Sequence, residues 1–334
     1  MHLSDLIISK NRLQQNLITL GKHPSLLPHI LKAYIKKVFF KRSVLRLVEI
    51  AIGYECNAKC EQCSCALSLN KKRKRLTLSE FKKLIDNSIK LGVFQFNLTG
   101  GEPLIYLQDT YKLIKYIKGK RCYAHLCTNG IILDEKKLKI LKDLGLDSLE
   151  FGVDSSKERI HDTNRGKGAY RKVMEATKIA RKLGITVLWD TIITHEKIKN
   201  NDMMALVNLS KEKGALLQIT PPCVMGRWDK KTQILLNEKE KEYFKKLLTF
   251  PHVRTDTYSS FLKVGCPAGR EKLAVNPYGD VLPCSLIQIP YGNIRQKTLV
   301  QIQKRMLVDP FYHIEGGVLS CLPSFNRPFI ERYL

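Results

Sequence analysis

The chain has 334 residues, of which 44% are hydrophobic, and a formal net charge of +26. This length suits one large α/β domain with a small appendix, or two domains, and the hydrophobic fraction excludes a disordered chain. No apolar run approaches the roughly 18 residues that span a bilayer, and the first residues lack the basic start and apolar run of a signal peptide. We therefore expect a cytoplasmic protein.

The positive charge comes mainly from lysines scattered along the chain. Such an excess can attract an anionic substrate, nucleic acid or a lipid surface, or it can be spread over solvated helix faces. Within the basic stretch 28–46, four apolar residues share one helical face: Leu31, Ile35, Val38 and Phe39. We expect 1–45 to form a basic helical extension that packs on its own domain, with contact to a membrane surface through 28–46 as the alternative.

Past residue 45, short β-branched runs alternate with amphipathic segments. The predicted strands are 46–53, 93–99, 122–128, 147–153, 185–194 and 216–220, and the predicted helices are 77–92, 106–119, 134–145, 169–184 and 200–214. This alternation predicts parallel strands with right-handed crossovers, and no Gly-x-Gly-x-x-Gly turn follows the first strand. The fold class is therefore α/β, an open partial (β/α)6 barrel of the TIM type, with its chemistry at the C-terminal ends of the strands.

The first strand is followed by four cysteines within ten residues: Cys56, Cys60, Cys63 and Cys65. In a reducing compartment such a cluster indicates metal ligands. Four thiolates could hold one zinc ion, but Cys63 and Cys65 would then share it across a single residue, which is a tight bite. Three thiolates, from Cys56, Cys60 and Cys63, suit an iron–sulfur cube with one iron left open to a chelating ligand.

The loop CNAKCEQC resembles the Cys-x3-Cys-x2-Cys signature of radical S-adenosylmethionine (SAM) enzymes, which follows the first strand of a partial (β/α)6 barrel. The resemblance implies a [4Fe–4S] cluster held by Cys56, Cys60 and Cys63, whose open iron chelates the amino and carboxylate groups of SAM. It also implies that one electron splits SAM into methionine and a 5'-deoxyadenosyl radical, which abstracts hydrogen from the substrate. Cys65 would be a bystander.

The turn GGEP at the end of the second strand is similar to the SAM amino-binding turn of this family, and it comprises Gly100, Gly101, Glu102 and Pro103. Glycines allow a close approach of the backbone to the ligand, and Glu102 adds negative charge near the ligand ammonium. By itself such a sequence is an ordinary turn. Together with the cysteine loop one β/α unit upstream, it makes the resemblance specific.

Three further positions are assigned to the SAM site by the resemblance. Asn129 and Asp154 follow the third and fourth strands, where relatives contact the ribose or carboxylate of SAM. Arg165 either pairs with that carboxylate or is a solvated surface residue. Relatives often carry an aromatic residue just before the third cysteine, whereas this chain has Gln62.

The alternation stops after Trp228, and the C-terminal part resembles the opening half of a SPASM/twitch extension. There a hairpin brings cysteines to an auxiliary [4Fe–4S] cluster, and the resemblance implies three ligands here: Cys266, Cys284 and Cys321. A full SPASM domain continues with a dense series of cysteines, so we expect one auxiliary cluster in a small α+β domain. The expected segments are the extension 1–45, the radical SAM core 46–228, a helical linker 229–262 and the auxiliary domain 263–334.

Cys223 follows the sixth strand in TPPCVMGRW. It is either a hydrogen-atom donor that faces the radical cavity, because an S–H bond is weaker than most C–H bonds, or the fourth ligand of the auxiliary cluster. A non-cysteine side chain or a substrate atom could also fill that position. The C-terminal cysteines could instead hold zinc or no metal.

The resemblance implies an enzyme that modifies a peptide or protein by epimerisation, thioether or C–C bond formation, or oxidation, with an anionic substrate favoured by the charge. A small molecule, cofactor precursor, sugar or lipid is the alternative substrate, and flavodoxin or ferredoxin is the expected reductant. A zinc-stabilised nucleic-acid-binding protein would need basic and aromatic residues near the metal loops, which carry Gly, Glu and Asp instead, so no nucleic acid is expected. A plain electron-transfer protein would need clusters closed by four cysteines.

Overall fold

The computed structural model describes residues 3–39, 44–259, 265–313 and 316–334. The strands are β1 (Leu47–Ala51), β2 (Gln95–Thr99), β3 (Tyr123–Thr128), β4 (Ser148–Gly152), β5 (Thr186–Ile192), β6 (Leu216–Thr220), β7 (Val253–Arg254), β8 (Lys272–Val275), β9 (Asp280–Leu282) and β10 (Gly292–Asn293). The helices are α1 (Leu3–Lys22), α2 (Leu27–Val38), α3 (Leu78–Leu91), α4 (Leu107–Gly119), α5 (Glu135–Asp143), α6 (Glu158–Arg165), α7 (Ala169–Lys182), α8 (His195–Lys199), α9 (Asp202–Lys213), α10 (Glu238–Leu247), α11 (Leu299–Leu307), α12 (Leu322–Phe325) and α13 (Arg327–Tyr333).

All ten strands form one sheet in the order β10-β9-β8-β1-β2-β3-β4-β5-β6-β7. The six predicted strands lie side by side and parallel, which confirms the α/β class and the open barrel-like arrangement. Two further strands extend the parallel part: β7 pairs with β6, and β8 pairs with β1. Because β8 belongs to the C-terminal hairpin, the sheet runs unbroken from the core into that hairpin. The division at 229–262 therefore stays a prediction.

Local signals explain where the helices begin and end. Helix α3 starts after Thr77, whose hydroxyl accepts from the Glu80 amide in a capping box, and it ends at Gly92 with a left-handed φ of 105°. These residues satisfy backbone groups that a helix end otherwise leaves unpaired. The segment predicted as a loop after β4 contains α6, with Glu158 in its first turn and Arg165 in its last. Charges of these signs stabilise the two ends of a helix dipole.

Successive side chains along a strand alternate between an apolar face and a polar face of the sheet, as β2 shows. Phe96 and Leu98 are fully buried in the core beneath the helices, whereas Gln95, Asn97 and Thr99 line an interior cavity of about 350 Å³. Side chains of successive strand residues point to opposite faces, so one face is apolar and packed while the other is polar. The lumen of this barrel is therefore a polar cavity and not a packed core.

Helices α1 and α2 lie across the amino-terminal end of the barrel. Asn11 donates to the Thr249 carbonyl oxygen (2.8 Å) shortly before β7, and Lys37 pairs with Glu271 immediately before β8. Thr19 lines the cavity from this side. The extension therefore packs on its own domain, as expected, while 40–43 of the predicted basic stretch fall outside the described residues. No helix in the described part of the chain is long and apolar enough to cross a bilayer.

Candidate active site

The cysteine loop and the GGEP turn are joined by their backbones. The Gly101 amide donates to the Gly53 carbonyl oxygen (2.8 Å), and the Glu102 amide donates to the Glu55 carbonyl oxygen (2.8 Å). A Cβ on Gly101 would lie 2.3 Å from the Glu55 oxygen, and Gly100 has a φ of 137°. The two glycines are needed because the loops approach each other this closely, which is a different reason from the predicted approach to a ligand.

Glu102 has a role that the sequence did not indicate. Its side chain is fully buried and accepts hydrogen bonds from the Thr128 hydroxyl (2.7 Å), the Asn129 amide (2.8 Å) and the Leu104 amide (3.0 Å). Burial raises its pKa, while these three donors oppose that shift. Gly100 and Gly101 line the cavity, but Glu102 does not. Glu102 therefore holds the turn, and its predicted place beside the SAM ammonium stays a prediction; Pro103 is buried beside it, also away from the cavity lining.

Asn129 connects the end of β3 to the cysteine loop. Its side-chain amide donates to the Asn57 oxygen (2.6 Å) and lies 3.9 Å from the Cys56 sulfur. Its backbone amide donates a hydrogen bond to the Glu102 carboxylate. Three loops, after β1, β2 and β3, are thus tied together at one end of the barrel, and Asn129 borders the cavity there.

Asp154 and Arg165 form a buried two-pronged ion pair. The Arg165 Nε and Nη2 atoms donate to the two carboxylate oxygens at 2.7 and 2.8 Å, and Gln62 donates to the same carboxylate at 2.7 Å. Although burial alone would raise the pKa of Asp154, the Arg165 charge holds it well below its ordinary value. A Cβ on Gly152 would lie 2.2 Å from the guanidinium, so that glycine makes room for it. Arg165 is therefore not a solvated surface residue, and both charged groups line the cavity.

The four thiols of the cysteine loop also line this cavity, and none is in a disulfide. The Cys63 and Cys65 sulfurs lie 3.7 Å apart, and Cys65 donates to the Gly100 carbonyl oxygen (3.4 Å). The hydrogen bond to Cys65 is the main cause that lowers the pKa of Cys63 to about 6. Thiolates are the ligands of iron–sulfur clusters, so Cys56, Cys60 and Cys63 fit such a cluster beside the polar cavity.

The C-terminal cysteines are far apart in sequence, and Cys284 directly precedes Ser285, which lines the same cavity. Cys284 and Cys321 are buried at 4% and 6% exposure, and Cys266 packs against the core cluster that contains Cys284. Cys223 is 7% exposed, contacts Cys321 and also borders the cavity. Free thiols gathered from separate segments fit an auxiliary cluster, with Cys266, Cys284 and Cys321 as the predicted ligands.

Deeper in the cavity lies a polar group that sequence reasoning did not select. His125, Cys127 and Glu150 lie on the neighbouring strands β3 and β4. Each offers one potential metal-ligand atom, and these three atoms lie within 4.8 Å of one another. Burial and the Glu150 charge raise the pKa of the nearby Asp190 carboxyl to about 7. The available signal was the polar residue at every second position of these strands. It identifies the face, but not which side chains meet.

Comparisons with known proteins agree with this geometry. The family model described as "Radical SAM superfamily" matches residues 50–210, and the SPASM model, "Iron-sulfur cluster-binding domain", matches residues 266–321. A relative named PqqA peptide cyclase, from Bradyrhizobium diazoefficiens, is 26% identical over 71% of this chain and 66% of its own length. An AdoMet-dependent heme synthase from Methanosarcina barkeri is 25% identical over 79% of this chain and 85% of its own length.

A similar fold occurs in Streptococcus suis SuiB bound to its precursor peptide SuiA, with a TM-score of 0.63 at 17% identity, over 90% of this chain and 70% of that one. The segments matched by the two family models contain both groups of cysteines. The chain therefore belongs to the radical SAM superfamily and is a radical SAM enzyme with a SPASM domain, whose cofactors are SAM and iron–sulfur clusters.

Proposed function

We propose that this enzyme modifies a peptide by epimerisation, thioether or C–C bond formation, or oxidation, in the cavity beneath the cysteine loop. The proposal rests on the hydrogen-bonded framework of the cysteine loop, the GGEP turn and Asn129 at the mouth of a polar barrel. It also rests on the similarity of the chain to a protein named PqqA peptide cyclase. When bound, the cluster of the cysteine loop supplies the one-electron reduction that splits SAM.

The residues of the chain hold and orient the reactants. We propose that SAM lies against Gly100, Gly101 and Asn129, with the Asp154–Arg165 pair as the charged wall of its site. The cavity continues between the strands to Thr19 at the opposite end. A narrow polar lumen of this kind admits one side chain of a peptide more readily than a folded domain.

A groove outside the cavity suits an acidic peptide. It has a volume of about 640 Å³ and lies between the segment after the cysteine loop and the β8–β9 hairpin, with Leu67, Leu69, Lys71, Lys72 and Tyr278 in its lining. Leu67 is 73% exposed, and both lysines are exposed. Exposed apolar side chains beside positively charged lysines provide complementary contacts for a peptide that alternates acidic and apolar residues.

The test is anaerobic incubation of the iron-loaded enzyme in deuterium oxide with SAM, dithionite and the peptides encoded by short reading frames beside its gene. The peptides are then analysed by mass spectrometry. A loss of two hydrogens or the incorporation of one deuterium in a peptide supports the proposal. The pair Lys71→Glu and Lys72→Glu should weaken peptide binding about 10-fold or more at low salt. The control pair, Lys178→Glu and Lys182→Glu on α7, should leave binding unchanged.

A cofactor precursor is the second candidate substrate, because the heme synthase from Methanosarcina barkeri matches this chain over most of its length. Modification of a porphyrin precursor of heme, with every tested peptide unchanged, would favour this candidate and reject the first. The readout is the same mass measurement. Release of 5'-deoxyadenosine in both assays without any product would reject both substrates.

We propose that a small reductant, such as flavodoxin or ferredoxin, delivers the electron at the outer side of the cysteine loop, where Cys56 is exposed. Ten free cysteines favour a reducing, cytoplasmic setting. The supporting measurement is 5'-deoxyadenosine release with reduced flavodoxin or ferredoxin in place of dithionite. No release with either protein would reject this part of the proposal.

We also propose that the outer faces of α1 and α2 rest on an anionic membrane surface. Both helices expose apolar residues, with Leu31 at 56% and Ile35 at 40%, and basic residues border them. Apolar insertion and attraction to anionic lipid then act together. Vesicles of phosphatidylglycerol and phosphatidylcholine should bind the enzyme several-fold more strongly than phosphatidylcholine alone. Leu31→Ser with Ile35→Ser should abolish this difference, whereas the exposed control Val308→Ser should not.

A further inference from the structure

Four thiols outside the cysteine loop are candidates for the ligands of the auxiliary site. Each comes from a different segment: Cys223 follows β6, Cys266 precedes β8, Cys284 follows β9, and Cys321 directly precedes α12. All four are free thiols, and Cys266 is the least buried of them. Four thiols from four segments reach one pocket only through the tertiary fold.

Contacts between neighbours connect the set from one end to the other. The Cys223 sulfur lies 3.1 Å from the Ser324 hydroxyl, which also donates to the Cys321 sulfur at 3.4 Å. Cys223 and Cys321 also pack together in one small buried cluster. Cys266 packs against the core cluster that contains Cys284 and Leu322, the residue after Cys321. Cys223 is therefore the neighbour of a predicted ligand in the same pocket.

The two roles considered for Cys223, cluster ligand and hydrogen-atom donor, predict different contacts for its sulfur atom. The sulfur contacts the Pro221 carbonyl oxygen (3.4 Å), the Ser324 hydroxyl and Cys321, all of which belong to the pocket wall or the loop of Cys223 itself. A loop contact holds this wall closed, since the Val224 amide donates to the Pro323 carbonyl oxygen (3.3 Å). Cys223 borders the cavity, but its S–H donates to the Pro221 carbonyl oxygen, whereas a hydrogen-atom donor needs that S–H directed into the cavity.

We propose that Cys223 is the fourth ligand of the auxiliary [4Fe–4S] cluster and closes it together with Cys266, Cys284 and Cys321. On ligation the thiol gives up its proton and the sulfur bonds to iron, with no change in oxidation state. The proposal rests on the iron–sulfur assignment of the SPASM domain and not on the identity of the substrate. Ser324 acts as a positioning residue, because its hydroxyl contacts both Cys223 and Cys321.

The test uses full-length protein in which Cys56, Cys60 and Cys63 are all changed to alanine, so that the remaining iron belongs to the auxiliary site. This parent should bind about four iron and four sulfide per chain. Adding Cys223→Ala should lower the iron count or produce the signal of a three-iron cluster in electron paramagnetic resonance. Adding Cys122→Ala, at a buried cysteine directly before β3, should change neither measurement.

Adding Cys223→Ser keeps the size of the side chain and guards against a folding defect. It should retain the circular dichroism spectrum of the parent and shift the resonance of the reduced cluster, because oxygen replaces sulfur at one iron. Unchanged iron content and an unchanged signal in both Cys223 variants would overturn the proposal. A parent that binds no iron would instead overturn the auxiliary cluster itself, which distinguishes the two failures.

Discussion

The two cysteine sites of this enzyme are built in opposite ways. The loop Cys56–Cys65 gathers its thiols from ten consecutive residues in an irregular segment, with Cys56 exposed. The pocket of Cys223, Cys284 and Cys321 gathers buried thiols from segments separated by whole strands and helices. Local assembly leaves the thiols of the first group partly exposed, whereas assembly by the fold buries those of the second.

The largest difference should appear when one ligand is removed from each site. Cys60→Ala should reduce 5'-deoxyadenosine release at least about 100-fold, because the SAM-binding cluster loses a ligand. Cys284→Ala should leave a SAM-dependent change in the electron paramagnetic resonance of the remaining cluster. Chromatography of the nucleoside and iron counting provide the measurements. Equal loss of both signals in both variants would contradict the independence of the two sites.

The next effect concerns the ion pair that holds the cysteine loop through Gln62. Arg165→Ala should lower the free energy of unfolding by about 3–5 kcal/mol, because it leaves the buried Asp154 carboxylate without its partner. Arg171→Ala removes an exposed ion pair with Glu158 and should cost less than about 1 kcal/mol. Denaturant unfolding under anaerobic conditions measures both. A small effect of Arg165→Ala would show that the pair does not stabilise this region.

A smaller effect is expected from the glycine that lets the two loops meet. Gly101→Ala should destabilise the protein by about 1–3 kcal/mol and weaken SAM binding, because the new Cβ forces the Glu55 carbonyl away. Gly119→Ala, in α4 with no atom within 4 Å of the added Cβ, should be neutral or stabilising by up to about 1 kcal/mol. Calorimetric SAM titration tests the first effect. Unchanged SAM affinity in Gly101→Ala would remove the turn from the SAM site.

The smallest expected difference lies in the rate of metal loss. A chelator under mild oxidation should remove iron from the cysteine loop several-fold faster than from the buried pocket, since exposed ligands open without local unfolding. The decay of the two resonance signals over time measures the rates. Faster loss from the pocket would mean that its burial does not protect it.

Much of the barrel was predictable because its signals are local. The alternation of β-branched runs with capped amphipathic helices gave the six central strands, and Thr77 and Gly92 marked the ends of α3. Strand β7 has only two residues, too few for a periodic pattern. Strand β8 was predicted as part of a hairpin, but its parallel pairing with β1 is a long-range contact that no local pattern reports.

By itself, the sequence determined the cysteine motif, the GGEP turn and the order of the parallel strands, because each depends on neighbours along the chain. Only the tertiary structure decided that Glu102 faces the protein, that Arg165 pairs with Asp154, and that Cys223 packs beside Cys321. These outcomes depend on which distant side chains share a buried space. That sharing is set by packing and burial, which act between segments and leave no fixed spacing in the sequence.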